Sequence, residues 1–551
     1  MRPGKPTLRP TGDDPLTLEL RVRRPGGSAL VDDYVAGKGR APSFYPLHWR
    51  DPDAFESRAE RLLDRFDRSA RERAAAAVRT LDDAHARKLE RIVDEGGFFV
   101  TTGQQPGLFG GPLYSVYKGL TAARLAATLE SVLERPVLPL FWVASEDHDW
   151  EEAHETWVAD LDNELRHVAV ERPAGAGDQA LHRIPAGPAL EESLGRFLDG
   201  LPSTDFSAPF ESLLRAAWTA DATLADGFLR TVEGLLGPRG TAFVTAHDPA
   251  LKEASLPILR REIEGAREHE EALARRAKEL EEAGYHVQVH VLDGGVNLFV
   301  EGPAGRERLY RDDGSYHLRH SEQRLSRADL DRILDEEPSR VSPNVLLRPV
   351  AEGAVFPTLA YVAGPGEMAY YAQLEPLYRA HGVEMPIVYP RFSVTVLEGK
   401  VGKVLEKFGL EVDALARPFH EVAGDVARDE VPPGARRTLG ELRGTIGRKT
   451  SELQDETREL DPTLKGPISH ARSVIFDALG DLEKKIVQAA KRENEIALQQ
   501  VEKAQLHLFP GGKPQERRMN PFYYLFRYGD RFLRDVEESF DTSLPSPPKE
   551  K

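Results

Sequence analysis

Eight groups able to move protons, hold an ammonium or ligate a divalent metal crowd into eleven residues, SEDHDWEEAHE at 145–155, among them Glu146, Asp147, His148, Asp149 and His154. They directly follow VLPLFWVA at 137–144, an apolar run of the kind that forms a buried strand. An imidazole titrates near neutrality and a neighbouring carboxylate can orient it, which makes Glu146, Asp147, His148 and Asp149 the candidate catalytic residues. An acidic first helical turn, favoured by the helix dipole, accounts for Glu151 and Glu152 but poorly for His148.

Further candidate binding residues sit at the ends of other apolar runs. TTGQQPGLFGGP at 101–112 sets Gly103, Gly107, Gly110 and Gly111 ahead of a helix start, where backbone amides can approach a phosphate or carboxylate, with Gln104 and Gln105 as neutral partners. The spacing matches neither a Walker P-loop nor GxGxxG, and a plain tight turn is the competing reading. Tyr114 and Lys118, four residues apart, share a helix face on which Lys118 could steady an anion. AGPGEMAYYAQL at 363–374 repeats the glycine-then-helix device with Gly364, Gly366 and Glu367. Asn344 and Arg348 lie in NVLLRP, and Arg391 follows MPIVYP. A guanidinium fork at Arg348 or Arg391 would match a carboxylate, with a buried ion pair as the other reading of each. His247, after GTAFVT, is a weaker candidate.

These loops need strands and helices to bring them together. GFFVTT (97–102), a helix opened by Pro112 and running to about Glu130, and VLPLFWVA form a β-loop-α-β unit. Such units are parallel and right-handed, and TLAYVA (358–363) and MPIVY (385–389) repeat the grammar, so the expected fold is α/β with a doubly wound core. Residues 1–154, 237–284 and 341–393 are read as that core, after a long helix over 54–95. Residues 155–236 read as a mainly helical insertion, and 285–340 as a small β/α insertion with hairpin signals at LDGG and DDGS.

From 394 to 507 strands disappear. Leu439, Leu442, Ile446, Leu453 and Leu460 keep a 3/4 spacing, DPTLKGP interrupts it, and Val474 or Ile475, Leu479, Leu482, Ile486 and Ile496 resume it. This predicts an antiparallel helical hairpin with a seam seeking a partner, its second arm roughly 38 residues or about 57 Å long. Residues 508–551 mix bases with aromatics before a Pro- and Ser-containing tail.

At 551 residues the chain exceeds one hydrophobic core, and a formal charge of -17 disfavours nucleic acid as a partner. No apolar run is long enough to span a membrane and none follows the basic N-terminus, so a cytoplasmic protein is expected. With no cysteine there are no disulfides, thiolate nucleophiles or Cys-ligated metals, and no metal-ligand set is assigned.

Four segments, TGQQPGLFGGPLYSVYK, PLFWVASEDHDWEE, VAGPGEMAYY and LFPGGKPQERRMNPFYY, occur in order from about 100 to 525. Together they resemble the signature segments of the bacillithiol-pathway cysteine-adding family, BshC. The resemblance implies a Rossmann-like core similar to that of class I aminoacyl-tRNA synthetases, connecting-peptide insertions and a coiled-coil domain that forms a homodimer. It further implies a ligase that joins L-cysteine to glucosaminyl malate, the last step in making that low-molecular-weight thiol. Amide formation at neutral pH needs an activated carboxyl, so ATP, with Mg, is a chemical expectation; the HIGH and KMSKS signatures of the synthetases are not recognisable here. On this reading Asp147, His148 and Asp149 manage the cysteine amine or its attack on an activated acyl group. The alternatives are another nucleotide-dependent amide-forming or nucleotidyl-transferring enzyme on the same core, and a non-catalytic coiled-coil dimeric scaffold.

Overall fold

A computed structural model describes residues 18–429 and 431–544; the tail from 545 lies outside the described residues. The described residues form two compact units, one of residues 20–395 with 516–544, the other of residues 18–19 with 396–429 and 431–515. The basic-aromatic segment therefore groups with the α/β core from 516 onward. Its Phe522, Tyr523, Tyr524 and Leu525 are all buried, which is why so many aromatics stand there.

The expected single helix over 54–95 is three: Pro52–Arg65, Arg68–Ala76 and Asp83–Glu95. Asp67 and Asp82 each accept a backbone N–H of the turn that follows, so each caps a new helix where the apolar spacing alone suggests continuity.

The core is built from β1 (Phe98–Gln104), α1 (Leu113–Leu133), β2 (Val137–Val143) and β3 (Ala242–Thr245), which leads into the long α2 (Pro249–Glu282). A second set follows: β4 (Gly295–Gly302), β5 (Gly305–Asp312), β6 (Ser315–Leu318), β7 (Arg324–Leu325) and β8 (Val341–Pro343). The chain then returns to the core with α3 (Arg348–Val355), β9 (Thr358–Ala363), α4 (Pro365–Ala380) and β10 (Ile387–Pro390).

The main sheet has the order β10-β9-β1-β2-β3 with every neighbouring pair parallel. Chain order runs outward from β1 in both directions, so the strand order reverses between β1 and β9. Helices cover both faces of such a sheet, which explains why β1, β2 and β9 are buried along almost their whole length. The Rossmann-like, doubly wound core expected from the sequence is thus present.

The second sheet, β7-β6-β5-β4-β8, is antiparallel. DDGS forms its β5–β6 turn, with Asp312 opposite Ser315. LDGG does not turn a hairpin; it leads into β4, and the β4–β5 turn falls at Gly302 and Gly305 instead. Residues 155–236 hold a two-stranded hairpin, Glu155–Ala159 with Leu165–Ala169, before their three helices.

In the other unit, α5 (Pro433–Glu456) and α6 (Lys465–Glu493) form an antiparallel pair across the Asp461–Pro462 turn. Arg443 bridges to Glu483 at 2.9 Å and Gln454 donates to Ser469 Oγ at 2.8 Å. The second arm is not one helix: it breaks at Asn494 and resumes as α7 (Glu495–Leu508). Neither α5 nor α6 buries a single residue, and Leu442, Leu453, Val474 and Leu482 are all exposed.

Candidate functional site

The carboxyl ends of β1, β2 and β9 open into a cavity of about 480 Å³. In an open parallel sheet the crevice where strand order reverses is where ligands bind, because helix N-termini and loop amides converge there. Of the residues singled out by sequence, Gly103, Gln104, Gln105, Tyr114, Lys118, Glu146, Asp147, His148, Asn344, Arg348, Gly364, Gly366, Glu367 and Arg391 line this cavity. Gly110, Gly111, Asp149 and His247 do not.

The reasons for the absences are local. Gly103 and Gln104 belong to the end of β1, and the glycine turn beyond them folds away from the cavity. Gly110 and Gly111 have φ of +89° and +68°, and a Cβ on Gly110 would come within 2.9 Å of Thr231. Between strand and turn, Phe109 is buried against Phe197 and Trp218. Asn520 donates to the Phe109 and Gly111 carbonyls, so the turn is a docking point for the C-terminal segment rather than a phosphate cradle. Asp149 caps the short helix Trp150–Ala153 by accepting from Glu152 N. His247 Nδ1 lies 2.7 Å from Ser145 Oγ, and its ring stacks on His182 at 4.4 Å.

Several groups in the cavity are already committed. Lys118 Nζ donates to Gly103 O at 2.7 Å and Gln104 Oε1 at 3.1 Å, and pairs with Glu367 Oε2 at 2.6 Å. Burial lowers its pKa and Glu367 opposes the shift. Glu367 also accepts from Tyr361 OH and from Gly364 N, capping α4. Arg348 pairs with Glu352, which accepts as well from Thr101 Oγ1. Arg391, 2% exposed, holds Glu516 through both Nη atoms at 2.8 Å. For both arginines the ion-pair reading is the one realised. Glu146 is buried against Lys252, and burial raises its pKa.

The groups left to face a ligand are Asp147, His148, Arg306, Arg308 and Arg517. Asp147 Oδ1 accepts from the amides of His148 and Asp149, while Oδ2 accepts from Gln105 Nε2. Arg306 Nη1 lies 3.2 Å from His148 Nδ1. A guanidinium only donates, so Nδ1 accepts and the ring proton resides on Nε2. Burial, with Arg306 next, holds this imidazole below its ordinary range, so it is neutral at pH 7. Arg306 is fixed in turn by Ser342 Oγ at 2.9 Å and Pro343 O at 3.2 Å. Among the described residues Arg308 and Arg517 have no carboxylate within ion-pair distance, although both line the cavity.

Arg306, Arg308 and Arg517 escape a reading of the sequence because they come from the second sheet and the C-terminal segment. No glycine turn or helix start marks them; only the alternation of GRERLYRD on β5 hints that two arginines share one face.

The profile described as "Bacillithiol biosynthesis BshC, N-terminal Rossmann-like domain" matches residues 17–392, and that described as "Bacillithiol biosynthesis BshC, C-terminal coiled-coil domain" matches 394–544. A protein of Salinibacter ruber named "Putative cysteine ligase BshC" is 34% identical over 93% of this chain and 94% of its own length. Proteins of the same name from Chlorobaculum tepidum and Solibacter usitatus are 33% and 32% identical, over 82% and 92% of this chain and 82% and 94% of theirs. With both domains matched in order, a parallel core carrying the cavity and a pair of long helices behind the second match, the chain belongs to the BshC family.

Proposed function

We propose that this protein is a ligase of bacillithiol biosynthesis, forming an amide between L-cysteine and glucosaminyl malate in the cavity at the ends of β1, β2 and β9. The observation that carries the substrate assignment is Arg308 and Arg517, which among the described residues have no carboxylate partner, in a cavity where Arg348 and Arg391 are ion-paired and Arg306 is held by Ser342 and Pro343. A malyl group brings two carboxylates, and guanidinium forks hold carboxylates as anions. Carboxylates held in that way are not the ones activated. The cysteine carboxyl is then the acyl donor and the glucosaminyl amine the nucleophile. Asp147 is the carboxylate placed to receive the glucosaminyl ammonium and take its proton, as the C–N bond forms and the acyl–oxygen bond to the ATP-derived leaving group breaks. His148, with its proton on Nε2, donates to the acyl oxygen as charge develops there.

Activation of the carboxyl calls for ATP on chemical grounds. Among the described residues the one lysine of the cavity, Lys118, is spent on Gly103, Gln104 and Glu367, so no nucleotide contact is assigned to it. Titration calorimetry with glucosaminyl malate tests the substrate reading. Arg308→Ala and Arg517→Ala should each weaken binding roughly 10- to 100-fold, the range for a charge-assisted hydrogen bond, whereas equal affinity in all three proteins refutes the clamp.

The same reading has the chain working as a homodimer through α5 and α6, whose exposed apolar seam supports it. Leu453→Glu combined with Leu482→Glu should shift the protein to a monomer by light scattering. A dimer of unchanged mass would place the interface elsewhere.

A further inference from the structure

A cluster outside the cavity takes no part in the chemistry above. Glu262 and His269 stand seven residues apart on one face of α2, and His381 is the first residue beyond α4. All three side chains are buried. Glu262 Oε2 is 2.7 Å from His269 Nδ1 and 3.2 Å from His381 Nε2, and the three atoms lie within 4.8 Å of one another.

We propose that Glu262, His269 and His381 bind a divalent cation of the zinc class, independently of the ligase activity. Two imidazoles and a carboxylate, with no thiolate in the chain, form a donor set suited to zinc. Bonds of about 2.0–2.1 Å put neighbouring ligand atoms of a tetrahedral site about 3.3 Å apart, so the observed spacing needs only a small opening. Two imidazoles bound through nitrogen to a tetrahedral ion have ring centres about 5 Å apart, so the rings too need only a small opening. The His269 and His381 rings are separated by 4.5 Å and tilted by 38°.

The surroundings support the same conclusion. The carboxylate is held from behind: Asn297 donates to Glu262 Oε1 from its backbone N and from Nδ2, both at 3.0 Å, which orients Oε2 toward the imidazoles. Asn297 Oδ1 accepts from Asn344 Nδ2 at 2.9 Å, and Asn344 lines the substrate cavity. A cation here braces the cavity wall through two asparagines.

The test is the metal content of the full-length protein after gel filtration, from cells grown with zinc, together with the visible absorption of protein grown with cobalt(II) in its place. Stoichiometric zinc and cobalt d–d bands are expected. Both should be lost in His269→Ala and in His381→Ala and kept in His286→Ala, which alters an exposed histidine. Metal-free wild-type protein, or bands unchanged in both cluster variants, overturns the site and leaves two imidazoles hydrogen-bonded to one carboxylate. Should the variants fail to fold, the wild-type melting temperature decides: a cation site predicts a lower melt for protein from zinc-starved cells, a hydrogen-bond network the same melt.

Discussion

Arg391→Met should destabilise the α/β unit by about 3–5 kcal/mol, the usual result of removing one partner of a buried ion pair. Arg391 is 2% exposed, and its fork grips both oxygens of Glu516, which also accepts from Ser393 Oγ at 2.7 Å. Burial alone would raise the Glu516 pKa; Arg391, with Ser393 and Arg517 behind it, outweighs burial and holds the carboxyl below its ordinary value. A carboxylate depressed in this way contributes stability that is present above its unfolded pKa and is lost as pH falls through the folded one. Without Arg391 the buried charge becomes a liability near pH 7 and is relieved by protonation. The deficit of the variant in urea should therefore be larger at pH 7 than at pH 5, and Glu516→Gln in the same chain should recover part of it. A loss under 1 kcal/mol at both pH values would mean that the pair adds little.

His148→Ala is the second large effect, expected in turnover with little change in stability. An oxyanion donor is worth roughly 100-fold in rate or more. Arg306 keeps its bonds to Ser342 and Pro343 when the imidazole is gone, so the cavity wall should stay in place. Because burial and Arg306 hold the imidazole below its ordinary range, the active neutral form should persist on the acid side of about pH 6.5. Protonation would put a hydrogen on Nδ1 against the Arg306 guanidinium and displace the ring, so the acid limb of the wild-type rate profile should lie below that value and flatten in the variant. A histidine that only satisfies a loop hydrogen bond would instead lose about 1 kcal/mol of stability with near-normal turnover. That outcome moves the assignment to Asp147.

The core was legible because buried parallel strands are apolar throughout and each ends at a glycine or a polar cluster: 98–104, 137–143 and 358–363 announce themselves. The cavity residues at those ends were legible for the same reason. What each residue does was not, since the partners come from far along the chain. Glu516 reaches Arg391 across 125 positions and Arg306 reaches His148 across 158. The glycines at 110 and 111 misled because a left-handed turn packed on Phe522 and Thr231 calls for the same residues as a phosphate loop. Apolar spacing carried α6 straight through Asn494, where the helix stops and restarts with no side-chain cap that the periodicity could reveal.

The central claim rests on a condensation that can be weighed. Purified protein is incubated with cysteine, glucosaminyl malate and ATP, with and without magnesium, and the products are read by mass spectrometry. A cysteine ligase yields a product whose mass is that of the two substrates less one water, with ATP consumed only when both are present. No condensation product under any of these conditions, or ATP consumption driven as well by another amino acid as by cysteine, would contradict it.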